Sequence, residues 1–101
     1  MLIAKWQIDA RFGQKKIVID RLKAWASEIA PRAGLTRGRL LTVSIGALEA
    51  TVIHEWEVED LATLEQAWAL LADLPQHAQW SVDLEPFVVS ATARWEILRV
   101  L

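Results

Sequence analysis

The stretch Thr51–Val58, TVIHEWEV, decides the fold. Read as an extended chain, its side chains alternate between two faces, with Val52, His54, Trp56 and Val58 on one face and Thr51, Ile53, Glu55 and Glu57 on the other. Period-two alternation of β-branched and aromatic residues is typical of a strand whose two faces have different surroundings. We therefore expect a strand here, with the rest of the chain arranged to cover one of its faces.

The composition is apolar for a chain of this size. Hydrophobic residues make up 53% of the 101 residues, and the mean hydropathy is +0.22. A chain of this length forms one domain with a single core, so we expect residues 1–101 to be a single domain. The apolar excess predicts a subunit interface. Six Trp and no Tyr favour the same interpretation, because large aromatic side chains are common in cores and interface centres.

Charge and cysteine content exclude several classes of function. A net charge of −2 gives no reason to expect a nucleic-acid surface. The absence of cysteine excludes disulfides, thiolate nucleophiles and Cys-based metal sites, and it is compatible with the cytoplasm, where we expect the protein to reside. The chain contains no apolar window of about 18 residues, so we expect no membrane span. We also expect no cofactor and no metal, because two distant histidines with scattered Glu do not form a ligand pattern.

The remaining patterns place the elements in chain order. Predicted strands cover residues 2–8, 39–45, 51–58 and 88–100, and predicted helices cover residues 14–30, 61–71 and, as a short extra piece, 76–83. Asp60 is the expected N-cap of the second helix. The order β-α-β-β-α-β predicts an α+β, ferredoxin-like fold. We expect a four-stranded antiparallel sheet in the order 4-1-3-2, with two helices on one face.

Sorting the strand residues by face separates an apolar set from a charged set. The apolar set matches the apolar stripes of the helices, so we assign it to the helix-covered face: Ala4, Trp6, Ile8, Val43, His54, Trp56, Ala93, Trp95 and Ile97. The other face is polar and mostly charged, with three apolar residues among its members: Lys5, Gln7, Thr42, Ser44, Glu55, Glu57, Thr92, Arg94 and Glu96, and the apolar Ile3, Ile53 and Leu98. Lys5 is expected between a strand with two glutamates and a strand with Arg94 and Glu96, a complementary arrangement. If a partner covered this face, its charges would have to be paired or hydrated, because a buried unpaired charge costs several kcal/mol.

The chain resembles a known superfamily in two segments, HEWEVEDLATLEQAW at residues 54–68 and RWEILRVL at residues 94–101. Together with the element order, they resemble the dimeric α/β barrel superfamily, in particular its NIPSNAP-like and antibiotic-biosynthesis-monooxygenase-like small proteins. The resemblance implies a homodimer whose sheets face each other, with a cavity beneath each sheet. It further implies a small organic ligand and an activity such as that of a cofactor-independent monooxygenase, isomerase or cyclase.

The same superfamily includes haem-degrading enzymes, in which a second-helix Trp and a following His act with a first-strand Asn. Trp68 and His77 have a similar placement in this chain. The first strand, however, offers Trp6 and Gln7 in place of the Asn. Haem binding or degradation is therefore the less favoured form of the resemblance.

Three residues are candidate catalytic groups. His77 lies in LPQHAQW, residues 74–80, where a segment after the second helix can line a cavity mouth. Glu55 and Arg94 belong to the charged face, where paired carboxylates can separate their pKa values and supply an acid and a base. The candidate ligand-binding residues are Lys5, Gln7, Trp68, Glu57 and Glu96. The alternatives are a surface histidine at 77 and solvated or structurally paired strand charges.

His54 has two interpretations. It is either a general base or ligand in a pocket, or a core histidine hydrogen-bonded to a polar neighbour. Its position on the helix-covered face favours the core histidine. For the whole protein, the alternative to a ligand-binding enzyme is a non-enzymatic ligand-binding or assembly module, such as an ACT-like domain. A concave pocket containing His77, or the Glu55 and Arg94 cluster, would favour the enzyme, whereas a sealed sheet face would favour the module.

Overall fold

The computed structural model describes residues 1–101 and contains four strands and three helices. The strands are β1 (Leu2–Asp9), β2 (Gly38–Thr42), β3 (Thr51–Val58) and β4 (Arg94–Arg99). The helices are α1 (Lys15–Glu28), α2 (Leu61–Ala72) and α3 (Pro75–Leu84). Two single 3₁₀ turns, Ala30–Ala33 and Glu85–Phe87, follow α1 and α3.

The strands form one antiparallel sheet in the order β2-β3-β1-β4. This is the predicted order 4-1-3-2 read from the other edge, so the ferredoxin-like α+β fold is confirmed. Lys5 in β1 pairs with Glu55 of β3 on one side and with Glu96 of β4 on the other. The predicted alternation of β3 also holds, since Val52, His54, Trp56 and Val58 are all buried.

Two predicted strands are too long. The last strand was expected from residue 88, but β4 begins at Arg94. Before it the chain turns, because Ala91 adopts a positive φ of 66° and the Thr92 hydroxyl donates back to the Val89 carbonyl at 2.7 Å.

The second strand ends at Thr42 rather than at residue 45, where the hairpin loop begins, so Val43 lies beyond it. The faces predicted for this strand are wrong. Thr42 pairs with Val52 on the helix-covered face, whereas Leu41 pairs with Ile53 on the charged face, and Leu41 has the same parity as Val43. A period-two pattern does not show which of two largely apolar faces meets the helices.

The third helix is a larger part of the fold than predicted. The expected short piece at residues 76–83 is the ten-residue helix α3, with Pro75 at its start, where a missing N–H costs no helical hydrogen bond. Its residue Leu84 is buried, and Trp80 packs against both clusters of the core. The layer over the sheet therefore consists of three helices instead of two. None of the helices combines the length and apolar character that a membrane crossing requires.

The core is divided into two clusters of buried residues. One contains 11 residues and centres on Trp25, Trp56 and α2, and the other contains 7 residues around Leu22 and Val52. The floor of both is the helix-covered face of the sheet, on which Ala4 and Ile8 are buried as predicted. Between the two clusters the packing is incomplete, and this gap is the site described next.

Candidate functional site: an aromatic cavity

A cavity of about 510 Å³ lies between the sheet and the helices. Its lining consists of Trp6, Leu22, Trp25, His54, Trp56, Trp68, Leu71, Ala72, His77, Trp80, Ser81 and Trp95. All six tryptophans and both histidines of the chain are in this set. The volume falls within the range of roughly 300–1,000 Å³ that is usual for sites of small organic ligands.

The sheet side of the cavity is a row of aromatic residues on three neighbouring strands. Trp6 of β1 pairs with His54 of β3 on one side and with Trp95 of β4 on the other. Because paired residues of adjacent strands point to the same face, these three side chains all project from the sheet toward the helices. Trp56, two residues after His54, extends the row along β3. The alternation that decides the fold therefore also builds this side of the site.

Indole rings pack around the cavity edge to face. The Trp25 ring of α1 lies 5.7 Å from both the His54 and the Trp56 ring centroids, with near-perpendicular planes. Trp68 of α2 meets Trp95 at 5.3 Å in the same manner. Such pairs are preferred by the quadrupoles of aromatic rings. Trp68 and Trp95 are 37% and 44% exposed, so this pair marks the open side of the cavity.

His77 is held by a hydrogen bond from Trp25. The indole Nε1–H donates to the His77 Nδ1 atom at 2.9 Å, so Nδ1 carries no proton and the neutral ring keeps its proton on Nε2. Burial lowers the pKa of His77, which also favours the neutral ring. The Trp80 ring lies nearly parallel to the imidazole, with centroids 6.1 Å apart. In this state His77 presents an N–H donor to any ligand oxygen.

His54 is more deeply enclosed and has no partner. Only 2% of its surface is exposed, and burial lowers its pKa to about 4. No side-chain hydrogen bond of the structure involves its ring, whereas every fully enclosed side-chain nitrogen or oxygen has a partner. The His54 nitrogens must therefore reach the cavity space itself. The predicted position on the helix-covered face is correct, but the expected hydrogen bond to a polar neighbour is absent.

The charged candidates lie on the opposite face of the sheet. Arg39 Nε donates to a Glu55 carboxylate oxygen at 2.8 Å, and Glu96 lies 3.8 Å from Lys5 Nζ and 3.6 Å from Arg94 Nε. On the same face, the Glu57 carboxylate lies 3.7 Å from the Arg37 guanidinium. Gln7 of β1 pairs with Arg94 of β4. The structure brings Trp68 together with His77 in the cavity, and it separates both from the whole charged set.

The sequence prediction did not include most of the cavity lining. Trp6, Trp25, Trp56, Trp80 and Trp95 were expected as core or interface residues, and Ser81 was not singled out. The available signal was the tryptophan content itself, with three indoles on the helix-facing side of the strands and three on the helices. That count does not reveal whether the rings fill the core or surround a space.

The cavity has a restricted chemistry. No Lys, Arg, Asp or Glu side chain lines it. Its polar groups are the two imidazoles, the Ser81 hydroxyl and those indole N–H groups that are not already bonded. A charged group of a ligand would therefore meet no side chain of opposite charge inside the cavity. Ligand recognition must rest on contacts with the rings and on hydrogen bonds between neutral groups.

Comparison with known proteins places the fold. The sequence matches no protein-family model and no curated protein. Among solved structures, an uncharacterized NIPSNAP-like domain protein from Burkholderia xenovorans is 22% identical, with a TM-score of 0.82 over 99% of this chain and 84% of that one. A NIPSNAP family protein from Agrobacterium tumefaciens is 19% identical, with a TM-score of 0.79 over 99% and 92% of the two chains.

A third solved structure carries a described activity. A variant of SnoaB, a cofactor-independent oxygenase from Streptomyces nogalater, is 13% identical, with a TM-score of 0.69 over 98% of this chain and 91% of that one. Identities at this level establish a common fold and leave the activity of this chain open. The chain therefore has the ferredoxin-like fold of NIPSNAP-like and antibiotic-biosynthesis-monooxygenase-like proteins, as its sequence predicted.

Proposed function

We propose that the protein binds a small ring-containing organic molecule in the aromatic cavity. The observation that carries this proposal is the convergence of all six tryptophans and both histidines on one space of about 510 Å³. Protein interiors are normally close-packed, and a void forfeits the contacts of the atoms that line it. Large indole rings around a space of this size are therefore best explained by an occupant that restores those contacts.

If the protein is an enzyme, we propose that it catalyses proton transfer or oxygenation of the bound ligand. Such an activity draws support from the fold shared with SnoaB, which is described as a cofactor-independent oxygenase. His77 is the residue we propose for it, because its neutral ring can donate the Nε2 proton to a ligand oxygen on which negative charge develops. Trp68, at the open side, would hold the ligand ring. The non-enzymatic module is the alternative, and the concave pocket that contains His77 speaks against its sealed form.

The charged face is proposed as the homodimer surface. Within it Glu55, Glu96 and Glu57 already have cationic neighbours at 2.8–3.8 Å, so it can be covered without leaving those carboxylates unpaired. Apolar side chains on this face, Leu41 and Leu98, are 37% and 45% exposed and would gain from burial. We therefore propose Glu55 and Arg94, with Lys5, Gln7, Glu57 and Glu96, as interface residues rather than as parts of the cavity.

Intrinsic tryptophan fluorescence tests the ligand proposal directly. Titration with a panel of uncharged mono-, bi- and tricyclic aromatic compounds should quench or shift the emission saturably. Ser81→Phe places a ring in the cavity and takes up space that a ligand would occupy, so it should weaken the best binder by about tenfold or more, which corresponds to about 1.4 kcal/mol.

The matched control is Ser27→Phe, which adds the same ring to an exposed position of α1 outside the cavity. Its affinity should equal that of the unmodified protein. Equal loss in both variants, or no saturable binding by any compound of the panel, would contradict the proposal.

A further inference from the structure

We propose that His54 is the residue that recognises the ligand, and that the ligand is an uncharged ring-containing compound carrying a hydroxyl group. This inference rests on the proposed function of the cavity and names its ligand class. It goes beyond the shared fold, because it follows from hydrogen bonds and burial in this chain.

The first step concerns unused hydrogen-bonding capacity. Trp25 N–H is bonded to His77 Nδ1, and Trp80 N–H donates to the Arg21 carbonyl at 2.9 Å. His54 is the histidine with neither nitrogen engaged, although it is 98% buried. Its nitrogens reach the cavity space, where water can bond to them in the empty protein. A ligand that displaces this water without replacing its hydrogen bond would leave a polar group unpartnered at a cost of about 1–3 kcal/mol, so the occupant is expected to bond to His54.

The second step excludes charged ligands. A carboxylate, phosphate or ammonium group entering the cavity would lose its water and meet no side chain of opposite charge. His54 itself cannot supply a positive charge near pH 7, because burial lowers its pKa to about 4. The occupant is therefore uncharged where it is enclosed.

The third step selects the hydroxyl. A neutral imidazole has one acceptor nitrogen and one N–H donor, and which nitrogen holds the proton depends on the partner. A hydroxyl both donates and accepts, so it satisfies His54 in either tautomer. Ethers and hydrocarbons cannot donate to the acceptor nitrogen. Trp6 and Trp95, which line the same side of the cavity as His54, meanwhile provide aromatic surface against which a ring of the ligand can pack.

Four probes of similar size separate these features when their binding to the unmodified protein is measured by calorimetry at pH 7. They are 1-naphthol, 1-methoxynaphthalene, 1-naphthoate and 1-naphthylmethylammonium. We expect 1-naphthol to bind about tenfold more tightly than 1-methoxynaphthalene, since a site with a buried polar group rejects analogues that lack the matching donor. The two ions should bind most weakly.

His54→Phe keeps a ring in place and removes both nitrogens. We expect it to remove the preference for 1-naphthol over 1-methoxynaphthalene, so that the two affinities become equal within about twofold. The ether oxygen can only accept from the His54 N–H, whereas the hydroxyl can also donate to the acceptor nitrogen, so 1-naphthol should lose more. If this variant does not fold, ¹⁵N NMR of the unmodified protein replaces it. The His54 ring nitrogens should then shift with 1-naphthol and stay unchanged with 1-methoxynaphthalene.

The outcomes distinguish the two levels of the proposal. The role of His54 would be overturned if the protein bound 1-naphthol and its methyl ether equally, if His54→Phe kept the preference, or if the His54 nitrogen signals did not shift. Each of these results would leave the cavity as a binding site. Tightest binding of either ion would overturn the uncharged class. Failure of all four probes to bind would count against the cavity itself.

Discussion

His54 places an ionisable ring where its charged form is disfavoured. Burial lowers its pKa to about 4, compared with 6.5 for an unperturbed histidine. As the pH falls from 6.5, the unfolded chain therefore takes up this proton before the folded protein does. The contribution of His54 to the free energy of unfolding is fully present above pH 6.5, declines as the pH falls, and levels off below about pH 4.

The size of this effect can be measured. A pKa difference of this magnitude corresponds to roughly 3 kcal/mol. We expect urea titrations to show that the free energy of unfolding falls by roughly 3 kcal/mol more in the unmodified protein than in His54→Phe between about pH 7 and pH 4. The comparison cancels the carboxylates that the two proteins share. Identical pH dependence would mean that His54 is hydrated.

Trp25 sets the protonation state of His77. Its N–H bond to Nδ1 is available only to the neutral imidazole, so Trp25→Phe should raise the pKa of His77 toward its ordinary value. NMR titration of the His77 ring would measure the change. Trp80→Phe is the matched control, because Trp80 also lies against His77 but directs its N–H to the Arg21 carbonyl. An equal rise in both variants would attribute the effect to lost burial.

At the scale of elements, helix α2 begins where its sequence predicts. The Asp60 carboxylate accepts hydrogen bonds from the backbone N–H and the hydroxyl of Thr63, each at 2.8 Å, and these bonds lower its pKa. Asp60→Ala should lower the melting temperature by several degrees, because it removes the N-cap of α2. Glu59→Ala removes a neighbouring exposed carboxylate without a capping bond. Thermal melts should show a loss for Asp60→Ala alone.

In the edge strand β2, the absence of a side chain at Gly38 leaves room for the Trp56 ring. Gly38 pairs with Trp56, and a Cβ atom at Gly38 would lie 2.5 Å from the indole. Gly38→Ala should therefore displace Trp56 and cost about 1–3 kcal/mol. Combining it with Trp56→Leu tests the cause, because removing the indole should relieve part of the cost. Strictly additive losses in the double variant would show that contact with Trp56 is not responsible.

At the scale of the whole molecule, the charged sheet face is the proposed contact between two copies. Equilibrium sedimentation at micromolar concentration should give twice the chain mass of 11.4 kDa. Ile53→Asp adds an unpaired carboxylate in the middle of this face, where it should convert the dimer to monomer. Leu70→Asp, at a half-exposed position of α2, is the control and should stay dimeric. If the unmodified protein were monomeric, the proposed homodimer would be refuted.

The alternation of β3 determined most of the architecture. Because successive side chains of a strand point to opposite faces, the sequence was sufficient to place His54 and Trp56 under the helices and Glu55 and Glu57 outside. The element order β-α-β-β-α-β predicted the strand order, and together with the alternation it predicted the correct neighbours of Lys5.

In β2 the alternation was assigned to the wrong faces, because Thr42 rather than Val43 lies on the helix-covered side. The alternation also failed where the backbone leaves the extended conformation, as at Ala91, since a single turn before β4 is invisible to a period-two pattern.

Only the tertiary structure decided that the aromatic face surrounds a space. Periodicity assigns a side chain to a face, whereas the volume left between two layers depends on the distance and angle at which they pack. Helix α3 supplies the decisive part, because it brings His77 and Trp80 over the sheet at sites distant in sequence from β3. TVIHEWEV thus determined the faces by local geometry, and long-range packing converted one of them from a core into a candidate binding site.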